Sequence, residues 1–175
     1  GTGRAFSAGA DVSALKGVTE PAERRRIFRE RGRRLPAIIG RCFEAMAHLD
    51  KMVVGAVNGF AVGGGWAIAL GCDLVVAADD AEFWVPEVDL GVPFSGFPVK
   101  VLATRVGMWR AKEIAIGCYH YKAPELYAMG LVNKVVAREA VTGEAIKMAR
   151  EMASKAPRAV RMTKSDVNSI VMGLP

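Results

Sequence analysis

The stretch that decides the fold runs from Val53 to Cys72, VVGAVNGFAVGGGWAIALGC. Its twenty residues carry no charge, enough in number to cross a bilayer. Gly55, Asn58, Gly59, Gly63, Gly64, Gly65 and Gly71 argue otherwise, because a triple glycine in mid-span breaks a lone helix and bare backbone in lipid is costly. The stretch reads as a buried strand over Met52–Val57 closed by Asn58-Gly59, then a loop, then a buried helix over Gly65–Gly71. Three successive glycines between strand and helix permit positive φ angles and close approach of a ligand to the main chain. The helix start behind them aims free N–H groups into the loop, a place to stabilise negative charge. A tight turn or helix packing uses glycine equally well, so this loop alone does not decide a function.

Outward from this segment, Leu74–Ala77 and Glu82–Val85 read as short buried strands, Leu131–Val136 as another, and Pro93–Pro98 as a loop. Helices are expected over Pro21 onward with an interruption at Pro36, Val99–Val106, Met108–Ile116, Pro124–Met129, Ala140–Lys155 and from Pro157 to about Val171. At the start, residues 1–11 read as a small-residue loop, with Asp11 capping a short helix over Val12–Lys16. Alternating short strands and helices give an α/β fold with parallel pairing, in one domain over residues 1–175. The sheet so read is thin for so many helices.

Composition is that of a globular protein, 51% apolar and 24% charged. Cys42, Cys72 and Cys118 lack CxxC spacing and a partnered histidine, which argues for reduced, structural thiols in a cytoplasmic protein and against a metal site. No secretory signal is expected, since Gly1 is not a methionine and nothing basic-then-apolar follows it. The net charge of +6 is concentrated in RRRIFRERGRR, Arg24–Arg34, with seven arginines against one glutamate. That run reads as a solvated helix face, an anion site for ligand phosphates, or a nucleic-acid patch. Without interleaved aromatics, nucleic acid is the minority reading.

A second bare-backbone loop, Phe6-Ser7-Ala8-Gly9-Ala10-Asp11, has the character of the triple-glycine loop, and two such loops converging on one oxygen would make an oxyanion hole. GRAFSAGADV, then AVNGFAVGGGWAIALGCDLVVAA, then AEFWVPEVDLGVP resemble, in order and spacing, the signature blocks of the crotonase (enoyl-CoA hydratase/isomerase) family. AKEIAIGCYHYKAPELYAMGLVNKVV resembles its later helix–turn–helix–strand segment. The resemblance implies a ββα spiral core, an acyl-CoA thioester as substrate, and no cofactor beyond the coenzyme A carried by the substrate. It implies that the N–H groups of Ala10 and Gly64 form the oxyanion hole. Ala8 would face the adenine, Arg4 the CoA phosphates, and Asp11, Trp84 and Phe94 would belong to the substrate site.

Hydratases of this family resemble one another in carrying two glutamates. Here the first position is Ala67 and only the second, Glu87, is retained. One carboxyl can move a proton between two carbons but has no partner with which to hold water. That resembles the Δ3,Δ2-enoyl-CoA isomerases, with Glu87 as lone proton shuttle. Burial beside Trp84, Val85 and Phe94 is expected to raise its pKa toward neutrality. Dienoyl-CoA isomerases carry a further aspartate where this chain has Ser95. A hydratase or CoA-ester hydrolase using Asp89 or Ser95 is the alternative within the enzymes. A non-catalytic CoA-ester- or RNA-binding relative is the alternative outside them. Trp66 reads as core, His48 and His120 as structural, and Trp109-Arg110 as explained by packing. The resemblance implies that N-terminal strands, and C-terminal helices that cover the acyl pocket and build trimers, are expected to be missing from this stretch of sequence. A homotrimer or hexamer is implied only where those helices are present, and no membrane contact is expected.

Overall fold

A computed structural model describes residues 1–11, 13, 17–32 and 35–172. The helix expected over Val12–Lys16 lies outside these residues. Seven strands form two sheets: β1 (Ala5–Ser7), β3 (Phe60–Val62), β5 (Glu82–Trp84) and β6 (Tyr121–Lys122) make one, and β2 (Val54–Val57), β4 (Leu74–Ala78) and β7 (Lys134–Val136) the other. Seven α-helices among the described residues accompany them: α1 (Pro21–Gly32), α2 (Leu35–Ala47), α3 (Gly64–Gly71), α4 (Phe97–Gly117), α5 (Ala123–Ala128), α6 (Val141–Ala153) and α7 (Pro157–Met172). The chain alternates between sheets. β2 enters one, β3 the other, α3 returns, and β4, β5 and α4 repeat the cycle beside it. Successive turns place like strands parallel, β2 with β4 and β3 with β5, which produces the spiral of ββα units.

Three strands escaped the sequence reading. Residues 5–7 are a strand rather than part of a loop, pairing parallel with β3. β3 and β6 are only three and two residues long, too short for an alternating pattern to register. These additions correct the impression of a thin sheet. The expected break between Val106 and Met108 is present as a kink at Gly107, whose φ of 75° interrupts an otherwise continuous α4. The strand expected from Leu131 starts at Lys134, because Leu131 and Val132 turn back to hydrogen-bond to the Leu126 carbonyl.

The core lies between the sheets and α3, α4 and α6, where Val57, Trp66, Val76, Phe83, Leu102, Ile114, Leu126 and Val141 are buried. Burial of each such side chain contributes about 1.5–3 kcal/mol. Trp66 packs edge-on to Phe83 at 5.8 Å, in agreement with its reading as core. Strand ends are closed by side chains: Asp73 Oδ2 accepts from Val53 N at 2.7 Å, and Asn133 Oδ1 from Val75 N at 2.7 Å. Helix α7 is fastened by Lys164, whose ammonium, buried with the rest of its side chain, reaches Asp73 Oδ2 and the Met46 and Lys51 carbonyls, each at 2.8 Å. Trp109 departs from expectation. It is 88% exposed, beside an exposed Met108, so packing within the described residues does not account for it. No helix among the described residues is long and apolar enough to cross a membrane.

Candidate active site

Parallel pairing in the first sheet positions the site. β1 runs beside β3 with Ser7 opposite Ala61, and β3 beside β5 with Val62 opposite Trp84. Parallel strands end on the same edge, so the segments leaving β1 (Ala8–Ala10), β3 (Gly63–Gly65) and β5 (Val85–Glu87) emerge together. Ligands of open parallel sheets bind at such carboxyl edges. A cavity of about 310 Å³ opens there, lined by Ala8, Gly9, Ala10, Gly63, Gly64 and Glu87 from these segments. Apolar walls come from Ile39 and Phe43 of α2 and from Phe94, Phe97 and Pro98 around the start of α4.

Close contact between the segments explains the glycines. A Cβ on Gly9 would stand 2.5 Å from the Val62 carbonyl oxygen and 3.5 Å from the Gly64 nitrogen, so the first loop lies directly on the second. A Cβ on Gly65 would overlap the Ser7 carbonyl. Gly63 has φ of 50°, and a Cβ there would collide with the Glu87 carboxyl. Gly64 opens α3, so its N–H has no acceptor within the helix. Gly63→Ala is therefore expected to destabilise the fold by about 1–3 kcal/mol, from the left-handed backbone and displacement of Glu87 together. Urea denaturation measures it, and an unchanged midpoint would show that the collision is relieved without cost.

Glu87 sits in a hydrogen-bonded turn: Val92 N donates to the Glu87 carbonyl at 2.9 Å and Gly91 N to that of Val88 at 2.9 Å. Its Oε2 is buried and has no hydrogen-bond partner among the described residues. Burial raises the Glu87 pKa to about 7, a hydrogen bond with its own main chain opposing the shift. The expected rise is thus present, but its walls differ from those expected. Trp84 does not line the cavity; it stacks on His120 with ring centroids 4.3 Å apart and meets Phe60 edge-on. Alternation along β5 explains this, since Phe83, pointing the other way, is the core residue. His120 in turn hydrogen-bonds Glu82 at 2.7 Å, a structural role.

Ala8, Ala10, Gly64, Glu87 and Phe94 are thus brought together, and Ala67 and Ser95 line the same cavity. Arg4 is exposed and stands outside the lining, its carbonyl lying against Gly59. Asp11 is also outside the lining; its carboxylate accepts from Ser13 N at 2.8 Å. Asp89 does not join Glu87. It lies against the Cys118 thiol, whose pKa is raised first by burial. Sequence reasoning missed Arg29, the one cation in the lining among the described residues, because it lay inside a run read as a block.

Bare main chain from two loops thus lies beside a buried carboxyl at the carboxyl edge of a ββα spiral, an arrangement that can hold negative charge on an oxygen and move a proton next to it. The family model described as Enoyl-CoA hydratase/isomerase matches residues 1–172. The chain is 37% identical over 165 residues to the short-chain-enoyl-CoA hydratase of Clostridium acetobutylicum, covering 94% of this chain and 60% of that protein. It is likewise 37% identical to the crotonyl-CoA hydratase of Syntrophomonas wolfei, with the same coverage. Among solved structures, the enoyl-CoA hydratase from Bacillus anthracis superposes with a TM-score of 0.82 at 31% identity, over 96% of this chain and 62% of that one. The chain belongs to the enoyl-CoA hydratase/isomerase, or crotonase, family, and spans about 60% of the length of the curated relatives it matches.

Proposed function

We propose that the chain binds an enoyl-CoA thioester in the cavity at the carboxyl edge of β1, β3 and β5, and moves a proton at its α-carbon through Glu87. The observation that carries this reading is the buried Glu87 carboxyl, unpartnered at Oε2 among the described residues and with a pKa of about 7, packed against Gly63 beside the Gly64 N–H. The thioester carbonyl accepts from the N–H groups of Ala10 and Gly64, which strengthens as negative charge gathers on oxygen; losing one such donor costs about 3–4 kcal/mol of transition-state stabilisation. Glu87 takes the proton from one carbon and returns it to another, moving the double bond. Ala67, in the lining where a second carboxyl would hold water, favours isomerisation over hydration. Coenzyme A arrives with the substrate, and no separate cofactor is needed for this step.

Hydration is the second reading, and the relatives favour it: all three compared above are named hydratases. Assays with a 3-enoyl-CoA and with crotonyl-CoA separate the two. Conversion of the first to its 2-enoyl isomer without hydration of the second supports isomerisation, and the reverse supports hydration. Absence of both reactions would refute the catalytic assignment. As a base Glu87 acts ionised, so kcat/KM is expected to rise with pH through about 7 and level off above it. A profile that is flat between pH ~5 and ~9 would remove Glu87 from the role.

A further inference from the structure

The arginine run is not explained by proton transfer, and its side chains divide by what they touch. Arg26 is occupied by Glu23 at 2.7 Å and Glu30 at 2.9 Å. Arg25, one turn before Arg29 on α1, lays its aliphatic stem across Gly91, in the turn that carries Glu87: a Cβ on that glycine would stand 2.6 Å from Arg25 Cγ and Cδ. Helix α1 is thereby seated on the catalytic turn, and Arg29 comes to the cavity wall. Arg29 makes no ion pair among the described residues. Nor does it figure among the causes of the Glu87 shift, which are burial and a main-chain hydrogen bond. Arg29 thus reaches the cavity from a helix that supplies neither of the two bare-backbone loops.

Arg29 is exposed and lines the cavity, so a ligand filling it displaces water from that side chain. A hydrocarbon end gives nothing back, whereas a carboxylate forms charge-assisted, paired hydrogen bonds. Resting on the reading of the cavity as an enoyl-CoA site, we propose that Arg29 selects thioesters whose acyl chain ends in a carboxylate, the mono-CoA esters of dicarboxylic acids. Glutaryl-CoA and pentanoyl-CoA test this without turnover, since both are saturated, have five acyl carbons and differ only in a terminal carboxylate or methyl. Calorimetric titration at about pH 6, where Glu87 is largely protonated, keeps its charge from opposing the carboxylate.

The chain is expected to bind glutaryl-CoA at least tenfold tighter than pentanoyl-CoA, about the strength of one charge-assisted pair. In Arg29→Gln the ratio falls to near one, and Arg29→Lys keeps part of it. Equal affinities in the unmodified chain would overturn the proposal. So would a ratio that survives in Arg29→Gln, including the case in which both esters weaken together, since Arg29 would then read the coenzyme. If neither ester binds, the thioester reading itself is refuted, and this inference with it, by a different signature.

Discussion

Glu87→Gln is expected to lower turnover by about 10²–10⁴-fold while making the folded chain more stable at neutral pH. Loss of turnover follows from the removal of the only carboxyl in the cavity lining among the described residues. The gain in stability follows from burial. The Glu87 pKa is raised from 4.5 to about 7 in the folded chain, so the folded state binds the proton more tightly than the unfolded state does. Stability from that proton is fully present below the unfolded value and is lost as pH rises through the folded one. Glutamine carries no charge at any pH. Both chains should therefore unfold alike near pH ~4, and the variant should be more stable by about 2–3 kcal/mol above pH ~7, allowing for partial solvent access. Thermal denaturation of both chains across this range, beside a turnover assay, checks the two effects independently. Parallel curves throughout would mean that Glu87 is not desolvated, and its basicity would lose its physical cause.

The second large effect lies away from the cavity. Lys164 holds α7 to the end of α2, the approach to β2 and Asp73 ahead of β4 through three 2.8 Å contacts, with 3% of its side chain exposed and 11% of that of Asp73. Lys164→Met keeps the volume but leaves the Asp73 carboxylate and two carbonyls without their cation. Breaking a buried pair on one side costs about 3–5 kcal/mol, a large share of the 5–15 kcal/mol typical of a domain. The melting temperature should fall by roughly 6–20 °C. Adding Asp73→Asn should recover part of the loss, since the stranded charge is gone, although the new amide oxygen must still accept from Val53 N. A single variant as stable as the parent would show that water replaces the ammonium.

Much of the fold was legible because its larger elements carry their own signals. The run from Val53 to Cys72 announced strand, turn and buried helix, and Gly107 separated two helices within α4. β1, β3 and β6 were not legible, because two or three residues owe their conformation to the strand beside them rather than to their own pattern. The same limit applied to the site. Ala10, Gly64 and Glu87 could be named from their family resemblance, but the parallel register that brings their segments to one edge is a property of pairing between segments far apart in the chain. Trp84 was misplaced because its orientation depends on the phase of β5. Arg29 was visible as one of seven arginines, but only helix phase distinguishes it from Arg26.

Gly9, Gly63 and Gly65 each occupy a space that a single methyl group would contest. A saturation-mutagenesis map of this chain would thus mark the seam between the three loops as positions at which each added atom costs stability, Gly63 among them by about 1–3 kcal/mol. The candidate site would be outlined by contested volume, with Glu87 standing out as a position at which chemical identity, rather than size, decides the outcome.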